Sequence, residues 1–185
     1  MKRLVVLVSG SGSNLQALLD SQSELEARVV LVVSNRPGVR ALQRAAEAGV
    51  ETCVLEAEPD RAAYDCKLAA RVAQAAPDLV VLAGFMRILG DRFLERFPGR
   101  VINLHPALPG HYPGLDAIGR AFRDGRSETG CMVHYVVPEV DAGPVIASEK
   151  VAIHAQDTLE SLTERMHQVE HALLVRAVAL ALRHG

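Results

Sequence analysis

The sequence predicts an α/β fold, a single domain in which a mostly parallel, twisted sheet has helices on both faces. Three observations predict it. Short apolar runs alternate with longer segments of helical period, which is the pattern of a parallel sheet covered by helices. A glycine-rich turn joins the first apolar run to the first helical segment. After residue 123 two apolar runs follow each other, which predicts that the last strands are partly antiparallel.

The elements follow in the order of this alternation. Strands are predicted at residues 4–8, 29–34, 51–55, 79–83 and 101–104, with helices between them at 14–20, 39–48, 62–75 and 91–97. A helix at 115–123 precedes strands at 131–137 and 145–151, which are joined by a loop containing Pro, Gly and acidic residues. In the long last helix Asp157 is the expected cap, with Glu160 three residues on. Its apolar stripe is formed by Leu159, Leu162, Met166, Val169 and Leu173.

The composition is ordinary for a globular domain of 185 residues, with 49% hydrophobic and 23% charged residues. The formal net charge of −2 gives no sign of a basic surface for nucleic acid. Because the chain has no general basic surface, any phosphate recognition must come from a local site. No apolar run reaches the roughly 20 residues of a membrane helix. The cysteines are odd in number and far apart, which indicates reduced thiols in a cytoplasmic protein.

The run Asn103-Leu104-His105-Pro106 lies at the end of the fifth predicted strand. Alternate residues of a strand project from the same side, so the carboxamide of Asn103 and the imidazole of His105 converge on one small volume. Pro106 cannot continue pairing in a central strand and marks its carboxyl end, where open parallel sheets bind ligands. The alternative is a strand-end histidine bonded to nearby backbone.

The run Ser9-Gly10-Ser11-Gly12-Ser13-Asn14-Leu15 lies between the first strand and the first helix. Small residues there let backbone N–H groups and the helix N-terminus approach an anion. Leu15 breaks the dinucleotide fingerprint G-x-G-x-x-G, and no Lys follows the second glycine as in a Walker A loop. The loop therefore favours a single phosphate over NAD or ATP. The alternative is a tight turn with a helix cap.

Asp141 lies among turn-forming residues between the last two strands. One interpretation is a solvated turn residue. The other is that Asp141 folds over the strand end and pairs with His105. A carboxylate within about 4–6 Å favours the imidazolium and raises the pKa of the histidine. His134, in the preceding strand, is interpreted as a core or rim residue and not as a catalyst.

The run His167-Gln168-Val169-Glu170-His171 matches H-x-x-E-H, the inverted zinc-peptidase signature. Its two histidines share a helix face, but a catalytic zinc normally has a third protein ligand, and no acidic residue follows His171. A ligand from upstream stays open. Glu170, four residues after Met166, borders the buried stripe either as a surface group or as an acceptor for a ligand hydroxyl or amine. The cleft that the other sites indicate favours the second interpretation.

Taken together, these motifs resemble the folate-dependent glycinamide ribonucleotide formyltransferases over essentially the whole sequence. Four motifs in register carry the resemblance: Ser9-Gly10-Ser11-Gly12-Ser13-Asn14-Leu15-Gln16, Leu82-Ala83-Gly84-Phe85-Met86-Arg87-Ile88-Leu89, Asn103-Leu104-His105-Pro106 and Asp141-Ala142-Gly143-Pro144-Val145-Ile146. The resemblance implies a Rossmann-like formyltransferase fold, one domain over residues 1–185. It also implies formyl transfer from 10-formyltetrahydrofolate to glycinamide ribonucleotide in purine biosynthesis, with no metal, by a cytoplasmic monomer or weak homodimer.

The resemblance further implies roles for individual residues. The residues that would bind the substrate phosphate are Gly12, Ser13 and Asn14. The residues that would bind its ribose and glycinamide part are Glu170 with His167, Gln168 and Val169. Those for the folate are Arg61, Met86, Arg87, Ile88, Leu89, Asn103, Val137, Pro138, Glu139, Val140 and Asp141. The catalytic set is Asn103, His105 and Asp141.

The implied mechanism is direct attack of the substrate amine on the formyl carbon. An N–H of Asn103 and a protonated His105 would stabilise the tetrahedral oxyanion, while Asp141 keeps His105 charged. Because the attacking group belongs to the substrate, no nucleophilic Ser or Cys is required.

The sequence departs from the family pattern in two places. The family commonly has His-Pro-Ser-Leu-Leu-Pro, whereas the run from His105 to Gly110 has its second proline one place earlier, and family members often continue past the long helix into a further strand. Two relatives within the fold family, methionyl-tRNA formyltransferase and formyltetrahydrofolate deformylase, are not expected because each carries an additional domain. A non-enzymatic phosphate sensor would keep the glycine loop but would not need Asn103, His105 and Asp141 together.

Overall fold

Seven strands form one sheet in the computed structural model, which describes residues 1–184. The strands are β1 (Lys2–Val8), β2 (Ala27–Ser34), β3 (Glu51–Val54), β4 (Leu79–Leu82), β5 (Val101–His105), β6 (Glu128–Tyr135) and β7 (Val145–Ala152). The helices are α1 (Ser13–Asp20), α2 (Arg40–Glu47), α3 (Arg61–Gln74), α4 (Asp91–Leu94), α5 (Ala117–Arg123) and α6 (Leu159–His184). Strands β1 to β5 are parallel, and β6 and β7 are antiparallel to their neighbours. The predicted fold class is confirmed.

The side chains of β1 alternate between two hydrophobic cores. Leu4, Val6 and Val8 pack in the core that also contains side chains of α1, α2 and α6. Val5 and Leu7 pack in the opposite core, with side chains of α3 and α4. Because both faces of β1 are buried, its sequence is a continuous apolar run without polar alternation.

The order of the strands places the candidate site. Across the sheet the order is β3-β2-β1-β4-β5-β6-β7, so β1 has β2 on one side and β4 on the other. The direction in which the chain winds therefore reverses between β1 and β4. At such a switch point the segments leaving the carboxyl ends of neighbouring strands separate and form a crevice, which is where open α/β sheets bind ligands.

The amino end of α6 differs from the prediction. Thr158 is the cap: its Oγ1 accepts the N–H of Ser161 at 3.1 Å, and the Oγ of Ser161 accepts the N–H of Thr158 at 3.0 Å. Asp157 instead pairs with Arg165 and accepts the N–H of His154, which together hold the pKa of Asp157 below its usual range. Within residues 1–184 no helix, α6 included, is both long enough and apolar enough to span a membrane.

Several other boundaries also differ from the prediction, among them the start of β6 and the end of α4. β6 begins at Glu128 and not at 131, and α4 ends at Leu94 and not at 97. Glu128 pairs with Lys150 of the edge strand β7 at 2.8 Å. Polar pairing on the exposed side of an edge strand leaves no apolar pattern in the sequence.

Candidate active site

A cleft of about 810 Å³ opens at the carboxyl ends of β1, β4 and β5. Small-molecule sites commonly measure about 300–1,000 Å³. Most of the predicted site residues line it: Gly12, Ser13, Asn14, Arg61, Met86, Arg87, Ile88, Leu89, Asn103, His105, Val137, Pro138, Glu139, Val140, Asp141, His167 and Glu170. Gln168 and Val169 line a smaller, separate cavity with Glu149 and Arg176. The structure does not bring these two to the cleft, because adjacent helix positions do not share a face.

The structure brings the three predicted catalytic residues together. Asn103 and His105 lie two residues apart on β5, and Asp141 lies in the loop between β6 and β7. The Nδ1 atom of His105 is 3.4 Å from Oδ2 of Asp141, and Nδ2 of Asn103 is 3.3 Å from Oδ1 of the same carboxylate. The N–H of Gly114 donates to Oδ2 of Asp141 at 2.8 Å. Asp141 therefore bridges the two β5 side chains.

The second ring nitrogen of His105 contacts the backbone of the following loop. Nε2 of His105 lies 3.0 Å from the carbonyl oxygen of Tyr112, which also accepts a hydrogen bond from Arg120 at 2.8 Å. A carbonyl oxygen only accepts, so Nε2 donates its proton to Tyr112, while Nδ1 lies beside the Asp141 carboxylate and forms an ion pair with it when the ring is protonated. Both interpretations of His105 therefore apply: Nε2 contacts nearby backbone, and Nδ1 lies beside Asp141.

The net pKa shift of His105 is opposite to the expectation. Burial lowers the pKa of His105, and this effect outweighs the upward influence of Asp141 and of the Tyr112 carbonyl. Asp141 thus raises the pKa of His105 as expected, but by less than burial lowers it, and the role of Asp141 in keeping the ring charged stays a prediction. Burial alone would raise the pKa of Asp141, but its contacts with His134, the Gly114 amide and His105 outweigh burial and lower that pKa. The carboxylate is therefore ionised.

A fourth side chain, His134, belongs to this cluster. It lies opposite Asn103 in the pairing of β5 with β6, and its side chain is only 3% exposed. Its Nε2 is 3.2 Å from Nδ2 of Asn103 and 3.4 Å from Oδ1 of Asp141. His134 is buried, as expected for a core or rim residue, and it also contacts two of the predicted catalytic residues. The sequence offered one signal, the position of His134 in the strand that leads into the Asp141 loop.

The glycine loop directs the amino end of α1 into the cleft. Gly12 has a left-handed φ of +75°, and a Cβ at this position would lie 2.7 Å from Ala41, so only glycine fits. The alternative interpretation of this loop is a tight turn with a helix cap. No side chain caps the amino end of α1, so the loop does not supply a side-chain cap. The N–H groups of Ser13 and Asn14, in the first turn of α1, therefore indicate an anion site.

Glu170 lies at the same end of the cleft and is 5% exposed. Its Oε2 accepts a hydrogen bond from Nδ2 of Asn14 at 3.1 Å, while the buried Oδ1 of Asn14 has no partner. His171 has a buried Nε2 without a partner, and burial lowers its pKa. In the part of the chain that the structure describes, no three His, Cys, Asp or Glu side chains are grouped as a metal site would require. Glu170 and Asn14 thus form a polar pair beside the glycine loop.

The segment after β4 forms the apolar end of the cleft. The side chains of Met86 and Ile88 are 54% and 55% exposed. The N–H of Met86 donates to Oγ of Ser9 at 2.8 Å, and the N–H of Gly90 donates to Oδ2 of Asp65 at 2.9 Å. Two side-chain hydrogen bonds therefore hold the ends of residues 86–90, which leaves the apolar side chains facing the cleft.

Two arginines border this apolar end. Nη2 of Arg61 donates to the carbonyl oxygen of Ile88 at 3.3 Å, and the guanidinium of Arg87 lies 4.2 Å from the ring centre of Tyr64. Within residues 1–184 neither arginine forms an ion pair with a carboxylate. Their charges are therefore available to an anionic group of a ligand.

Comparisons with known proteins find relatives along the whole chain. Residues 2–178 match the family model described as Formyl transferase. The trifunctional purine biosynthetic protein adenosine-3 of Drosophila melanogaster is 44% identical over 185 residues, which cover 97% of this chain but 14% of that protein. Phosphoribosylglycinamide formyltransferase of Escherichia coli strain K12 is 42% identical over 174 residues, which cover 92% of this chain and 82% of the relative. The crystal structure of glycinamide ribonucleotide transformylase 1 from Symbiobacterium toebii matches with a TM-score of 0.95 and 40% identity, covering 100% of this chain and 89% of that one.

Proposed function

The chain belongs to the formyl transferase family, and we propose that it transfers the formyl group of 10-formyltetrahydrofolate to the primary amine of 5′-phosphoribosylglycinamide, in purine biosynthesis. The observation that carries the proposal is one cleft lined by a glycine loop suited to an anion, by an apolar segment and by a polar cluster. The E. coli relative, whose name specifies formyl transfer to phosphoribosylglycinamide, supports this part of the proposal over most of its length. Of the trifunctional relative's activities only this one is proposed. A cytoplasmic location and a monomeric or weakly dimeric state stay predictions.

At the glycine loop, the chain supplies backbone N–H groups at the amino end of α1 for the phosphate of the ribonucleotide. Glu170 is an acceptor for the ribose hydroxyls or the amine, and the hydrogen bond from Nδ2 of Asn14 holds its carboxylate beside the glycine loop. His167 borders the same end. These groups favour a substrate that carries a phosphate and hydrogen-bond donors close together.

At the other end, Met86, Ile88 and Leu89 offer an apolar surface to the flat pterin. Backbone groups of residues 137–141 line the opposite wall and can pair with the polar edge of the ring. The guanidinium groups of Arg61 and Arg87 suit the carboxylates of the folate tail. The formyl group would then meet the polar cluster, which lines the same cleft.

The proposed chemistry begins with attack of the amine nitrogen on the formyl carbon, which forms a C–N bond and a tetrahedral oxyanion. The nitrogen must lose a proton, and the imidazole of His105, in its neutral form, is the acceptor. The C–N10 bond of the folate then breaks and N10 gains a proton, giving tetrahydrofolate and formylglycinamide ribonucleotide. The proton accepted by His105 balances the one that N10 receives.

Asp141 supports this proton transfer electrostatically. Its ionised carboxylate lies 3.4 Å from Nδ1, so it stabilises the imidazolium that forms during the reaction. The imidazolium in turn places positive charge beside the oxyanion. In this proposal His105 accepts the proton as a neutral ring and is charged at the step at which positive charge assists.

A turnover assay with both substrates tests the proposal. We expect tetrahydrofolate and the formylated ribonucleotide to appear in equal amounts only when both substrates are present. Omitting the substrate phosphate, by using the dephosphorylated nucleoside, is expected to raise KM and leave kcat similar. Absence of transfer with both substrates and folded protein would contradict the proposed function. Calorimetry with the ribonucleotide alone then distinguishes a sensor from an inactive protein.

A further inference from the structure

The loop between β5 and α5 contacts both His105 and Asp141. The carbonyl oxygen of Tyr112 accepts a hydrogen bond from Nε2 of His105 at 3.0 Å. Two residues on, the N–H of Gly114 donates to Oδ2 of Asp141 at 2.8 Å, and the same oxygen lies 3.4 Å from Nδ1 of His105. Two consecutive peptide units of one loop therefore contact the imidazole and the carboxylate on the sides where these two groups do not face each other.

A single guanidinium nitrogen holds both of these peptide units. Nη2 of Arg120, in α5, donates to the carbonyl oxygen of Tyr112 at 2.8 Å and to that of Pro113 at 2.6 Å. The first carbonyl is the one that the imidazole contacts. The second belongs to the same peptide unit as the N–H of Gly114, so this unit accepts from the guanidinium at one end and donates to Asp141 at the other. Hydrogen bonds arranged in such a chain polarise and strengthen one another.

The backbone of Tyr112 shows that the loop needs this support. Its φ is +45°, a left-handed conformation that is uncommon for a bulky side chain and persists only where the surroundings hold it. The hydroxyl of Tyr112 donates to Oδ2 of Asp124 at 2.8 Å, and the guanidinium of Arg120 lies 5.6 Å from the centre of its ring. Arg120 thus contacts both the ring and the carbonyl of Tyr112. Without these contacts, relaxation of φ would turn the carbonyl away from His105.

The donors of Arg120 go to backbone and not to a carboxylate. Within residues 1–184 Arg120 forms no ion pair, and it is not among the residues that line the cleft. Arg123, three residues on in the same helix, instead pairs with Asp116 at 2.6 Å, and both of those side chains are more than half exposed. Of these two arginines only Arg120 contacts the peptide units that hold the catalytic pair.

We propose that Arg120 is a positioning residue: through two loop peptides it holds His105 and Asp141 in their facing orientation. This inference rests on the proposed formyl transfer. Because Arg120 lies outside the cleft, its loss leaves the binding groups in place but lets the proton acceptor and its carboxylate drift. A misplacement of about 1 Å at a reacting group can cost about 10²-fold in rate. The effect therefore falls on kcat and not on the affinity for either substrate.

Substitutions of Arg120 test the inference. Arg120→Met keeps an unbranched stem and removes the donors, so we expect kcat to fall about tenfold to a hundredfold with both KM values within about threefold. Arg120→Lys keeps a charge and donors without the planar fork, so its loss of kcat should be clearly smaller. Arg123→Met, which removes an exposed guanidinium of the same helix, should keep the parent kcat. Parent kcat in Arg120→Met, or equal losses in the Met and Lys variants, would overturn the inference.

Nuclear magnetic resonance gives a second measurement that needs no activity. In the unsubstituted, ¹⁵N-labelled protein we expect a proton on Nε2 of His105, and we expect the Gly114 amide to exchange with water several times faster in Arg120→Lys than in Arg123→Lys. A ring whose only proton is on Nδ1, or equal exchange in the two Lys variants, would overturn the inference. These measurements decide the matter even where Arg120→Met fails to fold.

Failure of the inference is distinguishable from failure of the proposed function. If the folded, unsubstituted protein transfers no formyl group, the proposed function fails, and the exchange rates still show whether Arg120 holds the loop. If the unsubstituted protein does transfer and Arg120→Met keeps its kcat, only the positioning role of Arg120 fails.

Discussion

The glycine loop and the catalytic cluster share one cleft but are built in different ways. The glycine loop is a single continuous stretch, residues 9–14, that ends in the uncapped amino end of α1 and its backbone N–H groups. The cluster draws on β5, β6 and the loop after β6, and Asn103 and Asp141 are 38 residues apart. Its polar atoms mostly contact one another. The loop is therefore suited to binding, and the cluster to holding a few atoms in fixed orientation for chemistry.

The largest effect is expected in the cluster. His105→Ala removes the proton acceptor and Asp141→Asn removes the charge that stabilises the imidazolium, so we expect turnover to fall by about 10²–10⁴. Tetrahydrofolate binding, measured by calorimetry, should change little because the apolar end is untouched. His111→Ala, an exposed histidine of the neighbouring loop, is the matched control. Near-parent turnover in both cluster variants would remove the distinction between the two regions.

The pH dependence of the cluster sharpens the comparison. Asp141 raises the pKa of His105 against the stronger lowering by burial, so Asp141→Asn should lower that pKa further. The acid limb of kcat/KM reports the group that must be unprotonated. If His105 must be neutral to accept the proton, a lower His105 pKa in Asp141→Asn should move the acid limb of kcat/KM to lower pH. This shift would accompany the loss of rate in that variant. An unchanged limb in a pH profile would show that Asp141 does not act through His105.

The difference between a continuous loop and a cluster drawn from several elements also determines how much of each the sequence can predict. The alternation of apolar runs and helices was enough for the sheet, its mixed direction and the glycine loop, because these depend on local pattern. Convergence of Asn103 and His105 followed from strand geometry. The contacts of His134 did not, because they depend on the register of β6 against β5. The family resemblance covers residues 167–170 as one run, so it places Gln168 and Val169 in the cleft together with His167 and Glu170. Successive positions of a helix point in different directions, and for this reason Gln168 and Val169 face elsewhere.

The sign of the His105 pKa shift escaped prediction for another physical reason. A neighbouring carboxylate is visible in the sequence as a candidate, but the depth at which an imidazole is buried is not. His105 is 3% exposed, and burial outweighs the carboxylate. Competing contributions of opposite sign can be ranked only when the surroundings are known.

Within the binding end, Glu170→Gln is expected to raise KM for the ribonucleotide roughly tenfold or more, with kcat nearly unchanged. Hydrogen bonds to charged acceptors contribute about 1.5–3 kcal/mol, and the substitution removes the charge while keeping an oxygen for Asn14. Steady-state kinetics with the ribonucleotide varied measure this. Glu164→Gln, an exposed carboxylate of the same helix, is the control. A fall in kcat without a change in KM would move Glu170 from the binding group to the catalytic one.

The smallest effect concerns Ser9, which connects the glycine loop with the apolar end. Its hydroxyl donates to Oδ1 of Asn35 at 2.5 Å and accepts the N–H of Met86 at 2.8 Å, and the residue is 3% exposed. Ser9→Ala leaves the Met86 N–H without this acceptor. We expect KM for the formyl donor to rise about fivefold and KM for the ribonucleotide to change less, since a hydrogen bond contributes about 0.5–1.5 kcal/mol.

Ser34→Ala provides the control for Ser9. Ser34 is a fully buried serine at the end of the neighbouring strand β2, and its hydroxyl bonds only to the backbone of Arg36. Both substitutions remove a buried hydroxyl, so both should lower the melting temperature to a similar extent. Only Ser9→Ala should raise KM for the formyl donor and speed hydrogen exchange at the Met86 amide. Equal KM changes in the two variants would mean that general loosening, and not the Ser9–Met86 contact, sets the position of residues 86–89.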